Sequence, residues 1–112
     1  MGVEERTRRI GANEAIFRRV NEQIEELNRG IAQMTGAMRI VCECGDIRCA
    51  EQIDVSIAAY EGVRSDSALF FVVEGHEAPA VEEVVERTEG YEVLRKLPGE
   101  AERIAAETDP RA

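Results

Sequence analysis

Apolar residues recur every seven positions through the first third of the chain: Ile10, Phe17, Ile24, Ile31 and Met38, with Val20, Leu27 and Met34 between them. The spacing predicts a long amphipathic helix over about 12–35, stopped by Thr35-Gly36. Asn13 takes the one polar position in this seam, where a buried amide fixes register in a coiled coil at some cost in stability. Gly11 and Gly30 weaken such a helix by up to ~1 kcal/mol each relative to Ala. Two readings follow: the helix lies across the rest of its own domain, or it pairs with its copy in a second chain through residues 10–38. A helix docking on its own domain carries a wider apolar stripe, whereas two positions per heptad suit a helical partner, so the expectation is a homodimer.

Past Gly36 the period shortens. Met38-Arg39-Ile40-Val41-Cys42-Glu43-Cys44 reads as a strand, Gly45-Asp46 as a turn, and Glu51-Gln52-Ile53-Asp54-Val55 alternates as a half-buried strand does, which puts the cysteines at the tip of a hairpin. Ser56 is the N-cap of a short helix through about Val63, with Ile57, Tyr60 and Val63 on one face. The most apolar run, Ala68-Leu69-Phe70-Phe71-Val72-Val73, is too short to span a membrane and reads as a central strand delivering Gly75-His76-Glu77. Residues 81–87 are ambiguous by pattern, but Glu83 to Arg87, the turn Thr88-Glu89-Gly90 and Tyr91 to Arg95 form a natural closing hairpin. Residues 100–107 predict a short helix packing Ile104, and the last five residues are expected to fray. The class is therefore α+β: a long N-terminal amphipathic helix, then a small, mostly antiparallel sheet with a zinc-knuckle-like hairpin and one or two short helices. It divides into residues 1–36 (the dimerising helix), 37–97 (a metal-binding α+β domain) and 98–112 (a short helix and tail).

Composition narrows the function. A chain of 112 residues is one domain with a modest core, short enough to benefit from a staple. The net charge of −9 argues against binding nucleic acid by neutralising phosphates. Charge is nonetheless uneven: residues 1–20 carry five arginines against three glutamates, so residues 21–112 hold a net −11. Arg6, Arg8, Arg9, Arg18 and Arg19 read as a solvated helix face, with a phosphate-contacting regulator of DNA as the weaker alternative. Three cysteines, with no apolar leader or spanning run, suit a cytoplasmic protein with reduced thiols and no membrane association.

All three cysteines, Cys42, Cys44 and Cys49, fall within eight residues, and the only histidine is His76. Three thiols and one imidazole complete a tetrahedral Cys3His set, which zinc most commonly fills. The one-residue gap sets Cys42 and Cys44 on one side of a strand, Gly45 lets the backbone reverse so that Cys49 returns, and His76 arrives from a distant loop. Such a site has no open position and would be structural. Charged Glu43, Asp46 and Glu51 mark the tip as solvent-facing, against the plain alternative of three core thiols. A two-iron, two-sulfide cluster is the rarer occupant: CDGSH-type iron–sulfur proteins share the Cys-x-Cys opening, but they keep their ligands in one short segment, and here His76 lies 27 residues beyond Cys49. A labile or redox-sensing metal is weakly supported, since only Arg48 is a neighbouring cation. No catalytic triad, phosphate-cradling loop or HExxH motif is present in the sequence. The functional expectation is a non-enzymatic binding or regulatory module acting through an unknown protein partner.

The run Val41-Cys42-Glu43-Cys44-Gly45 with Cys49, then Tyr60-Glu61-Gly62-Val63-Arg64, Phe71-Val72-Val73-Glu74-Gly75-His76-Glu77, and Val84-Val85-Glu86-Arg87 to Gly90-Tyr91 resembles a group of small uncharacterised bacterial proteins common among actinobacteria. The resemblance covers roughly residues 5–96. It implies a recurring module without an established activity, in which Cys42, Cys44, Cys49 and His76 belong together. It also implies that Tyr60, Arg64 and Glu77 contact the metal's ligands or a bound molecule.

Overall fold

A computed structural model describes residues 2–111. Its elements run α1 (Val3–Thr35), β1 (Ala37–Val41), β2 (Gln52–Ser56), α2 (Ile57–Arg64), β3 (Leu69–Val72), β4 (Glu82–Thr88), β5 (Tyr91–Lys96) and α3 (Glu100–Glu107). The expected α+β architecture is present, with α1 starting nine residues earlier than its apolar seam indicated. Gly36 closes α1 at φ 76°, a left-handed position that favours glycine, and its N–H caps Ala32 O. Ser56 caps α2 as its sequence foretold, its Oγ accepting from Ala59 N.

Every strand pairing is antiparallel, but the strands divide into a ribbon β1-β2 and a sheet of order β3-β5-β4. The apolar strand β3 is therefore an edge strand, contrary to the expectation of a central one. Its hydrophobicity has another reason, because its outer edge is covered. Glu43 N–H donates to Phe71 O (2.7 Å), and Phe71 N–H donates to the Glu43 carboxylate (3.0 Å). Glu43, two residues past the end of β1, thus stands in for a neighbouring strand and joins the two sheets. Around this seam sits the core of Ile40, Ile53, Val55, Tyr60, Phe71, Val72, Val93 and Leu94. Phe71 stacks on Tyr60 (centroids 6.0 Å apart) and meets Tyr91 edge-on at 5.4 Å.

The long helix lies across its own domain, but on an unexpected stripe. Thr7, Gly11, Glu14, Arg18, Asn21, Glu25 and Ala32 are buried. Ile10, Phe17, Val20 and Ile24 are only half-buried, while Leu27, Ile31 and Met34 are exposed. Each central polar group on the docked stripe has a partner. Arg18, read from sequence as solvated, donates to Ser67 O and Ala105 O, both at 2.7 Å, and its guanidinium lies 4.4 Å from the Phe70 ring centroid. Lys96 is buried between Glu82 (2.7 Å) and Glu14. Asn13, expected to fix a coiled-coil register, instead donates to Gly45 O at 2.8 Å. The tail is held where fraying was expected: Thr108 Oγ1 accepts from Arg18, and Arg111 Nε donates to Glu22 at 2.6 Å. Among the described residues no helix is long and apolar enough to cross a membrane.

Candidate metal centre

The centre is built on the stretch that follows β1. Its backbone keeps an extended alternation, so Cys42 and Cys44 turn to one side and Glu43 to the other, and all three are buried. Glu43 was read as part of a charged, solvent-facing tip, but it is fully buried at the junction of four elements. Arg64 grips it with two hydrogen bonds (2.7 and 2.9 Å), and Asn21 Nδ2 adds a third at 2.7 Å. With the Phe71 N–H this makes four donors on one carboxylate. Burial alone would lower the pKa of Arg64, but the Glu43 charge and hydrogen bonds raise it overall. Asn21 also pairs with both the N–H and the C=O of Val41, each at 2.8 Å. This clamp fixes the chain on both sides of Cys42.

After Cys44 the chain passes so close to α1 that a Cβ on Gly45 would lie 2.7 Å from Ile10 Cγ2. The φ of Gly45 is not positive, so close approach, not backbone reversal, is what requires glycine there. Asp46 forms the turn: its carboxylate accepts from Arg48 N (3.0 Å) and its carbonyl from Cys49 N (2.9 Å), which brings Cys49 back. Gly75, at φ 87°, turns the chain after β3, and His76 N–H donates to Val73 O.

The four sequence-predicted donors converge. Their ligand atoms all lie within 4.8 Å of one another, and His76 Nδ1 is 3.6 Å from Cys42 Sγ and 3.7 Å from Cys49 Sγ. A zinc tetrahedron with bonds of about 2.3 Å to sulfur and 2.0–2.1 Å to nitrogen has N···S edges of about 3.6 Å, so these residues fit that ion. The other ring nitrogen, Nε2, faces the Glu51 carboxylate at 2.9 Å. A proton held there by Glu51 leaves Nδ1 as a free lone pair toward the sulfurs, the usual way a ligating histidine is oriented. Val73 N–H donates to Cys42 Sγ at 3.2 Å, as backbone amides do to thiolates.

The three thiols influence one another's ionisation. A hydrogen bond from Cys42, the largest influence, holds the Cys44 thiol down at about 5, while the same bond and burial push Cys42 upward. Desolvation raises Cys49. A bound cation would offset the opposition to ionising all three.

Of the other residues singled out, Arg64 reaches the centre through Glu43. Tyr60 is fully buried and donates to Glu22 at 2.7 Å, away from the four donors. Glu77 is half-buried just past His76 and makes no hydrogen bond to them among the described residues. Glu43, Asn21 and Glu51 went unrecognised; only the place of Glu43 between two cysteines could have flagged it. Beside the centre opens a cleft of about 680 Å³, with Cys44 and His76 in its wall and Arg6, Arg9 and Arg48 around it. No family model, curated protein or solved structure matches the chain.

Proposed function

We propose that the protein is a zinc-stabilised, non-enzymatic binding module that acts through protein–protein contacts. The observation that carries this reading is the meeting of Cys42, Cys44, Cys49 and His76, from two segments distant in sequence, at single-ion separations. Four protein donors complete the coordination of zinc and leave no position for substrate or water, which suits a structural role. The ion ties the β1-β2 ribbon to the turn after β3 and so reinforces the junction made by Glu43. In peptides whose folding depends on zinc, such binding is worth on the order of 10 kcal/mol. A two-iron cluster spreads its ligands over two metals, and the compactness of this set supports one ion instead.

Elemental analysis and an absorption spectrum of the purified protein, alongside His76→Ala, test the reading. One colourless zinc per chain, held more weakly by the variant, is expected. Iron with visible colour would make the protein an electron-transfer or redox-sensing one, and a metal-free protein would return the cysteines to the core.

A further inference from the structure

At 100° per residue, the face of α1 opposite its docked stripe carries a second heptad seam: Ile16, Val20, Gln23, Leu27, Gly30 and Met34, at alternating steps of four and three. Ile16 is 51 % exposed, Leu27 85 % and Met34 88 %, and Ile31 beside them is 64 % exposed. Only two other large apolar side chains among the described residues are as open to water, Ile47 and Val85, and neither is on this helix. An apolar stripe about 27 Å long at ~1.5 Å per residue marks an interaction surface.

We propose that this face forms a homodimer in which two α1 helices pack antiparallel about a two-fold axis at Gln23. The proposal deepens the contact-module reading and rests on it, naming the partner as a second copy of the chain. Three features of the seam are self-complementary in this arrangement and in no parallel one. Reflection through Gln23 sets Ile16 opposite Gly30, the bulkiest side chain of one turn against the smallest. Gly30 has nothing within 4 Å of where a Cβ would stand, so the protomer alone gives no reason for a residue that costs its helix ~1 kcal/mol. The same reflection drops Leu27 into the hollow of about 260 Å³ lined by Ala15, Ile16, Arg19, Val20 and Gln23. Residues at i, i+3, i+4 and i+7 form the hole that receives a coiled-coil knob, and Ile16, Arg19, Val20 and Gln23 have that spacing. Flanking the seam, Arg19 meets Glu26 of the second copy twice; parallel packing would set Arg19 toward Ile24 and Glu26 toward Ile31 of the second copy instead. The two Gln23 amides meet on the axis, where each can donate to the other.

The test is sedimentation equilibrium of the zinc-loaded full chain. The expected mass is twice the 12.5 kDa chain. Leu27→Glu with Met34→Glu should give the single-chain mass with unchanged circular dichroism and zinc content, since both side chains are exposed in the protomer. Arg19→Glu or Glu26→Arg alone should raise the dissociation constant roughly five- to tenfold at low salt, and the two together should restore it. A wild type that stays monomeric at about 100 µM, micromolar being the range of weak specific contacts, would overturn the proposal. So would a dimer indifferent to the Leu27 and Met34 changes, or a double reversal no better than either single. Zinc content is read separately, so a failure of the dimer is distinguishable from a failure of the metal reading.

Discussion

Along α1, the stripe that docks on the sheets buries Glu14, Arg18, Asn21 and Glu25, while the stripe on the far side leaves Leu27, Ile31 and Met34 in water. Both repeat at the heptad spacing, and by hydrophobicity alone their roles would be exchanged. Burying a polar group costs several kcal/mol unless it is partnered, so the docked stripe works only because the rest of the fold presents a matched acceptor or donor to Glu14, Arg18 and Asn21. Asn21 meets Val41 and Glu43, Arg18 meets two carbonyls, and Glu14 meets Lys96. Such a face fixes one orientation of the helix. An apolar face needs no such matching, and its periodicity locates an interface without saying which surface fills it.

The comparison breaks first at Arg64. Arg64→Ala would leave the Glu43 carboxylate buried without its main partner and should cost about 3–5 kcal/mol, read as a lower midpoint of urea unfolding. An exposed charge on the free stripe, Ile31→Lys, should move protomer stability by no more than about 0.5 kcal/mol. If both variants cost the same, the buried Glu43–Arg64 pair that anchors Asn21 of the docked stripe adds no more stability than an exposed position does.

A smaller effect separates the metal centre from both faces. Glu51→Gln keeps the shape of the His76 partner but weakens its hold on the Nε2 proton, and should lower zinc affinity about 10- to 100-fold in competition with a chelator. An unchanged affinity would mean that Glu51 is a surface neighbour of the ring and does not orient it.

The finest distinction within the docked stripe is one of pH. Burial first, then the charge of Glu82, raise the pKa of Glu14 well above its usual value, with Lys96 only partly offsetting them. An acid with a raised folded-state pKa favours the fold at low pH, and that contribution is lost as pH rises from about 4.3 through the folded-state value. Glu14→Gln keeps a hydrogen-bonding group at Lys96 and cannot ionise, so its stability relative to wild type should increase with pH over that window. A difference that stays constant from about pH 4 to pH 8 would show that Glu14 does not titrate this way.

Most of the elements were legible from periodicity and turn chemistry: α2 with its Ser56 cap, the β4-β5 hairpin around Gly90, and α3 within residues 100–107. The four donors were legible because cysteine and histidine carry a chemistry that spacing reveals. The docked stripe was not, since Glu14, Arg18 and Asn21 look like solvent residues until their partners are placed, and those partners come from β1 and the residues after it, the loop before β3, β5 and α3. Glu43 was misread for the same reason. Its neighbours in sequence suggested a charged tip, whereas Arg64, Asn21 and Phe71 meet it only in three dimensions. The edge position of β3 was hidden because a single residue, Glu43, covers it with its N–H and its carboxylate where a strand was expected.

X-ray absorption at the zinc edge tests the central claim most directly, because it counts and ranges the donors without a crystal. One zinc with three sulfurs at about 2.3 Å and one nitrogen at about 2.0–2.1 Å, the nitrogen lost in His76→Ala, is the predicted result. A zinc bound by oxygen, or by fewer than three sulfurs in the wild type, would contradict a closed centre made by Cys42, Cys44, Cys49 and His76.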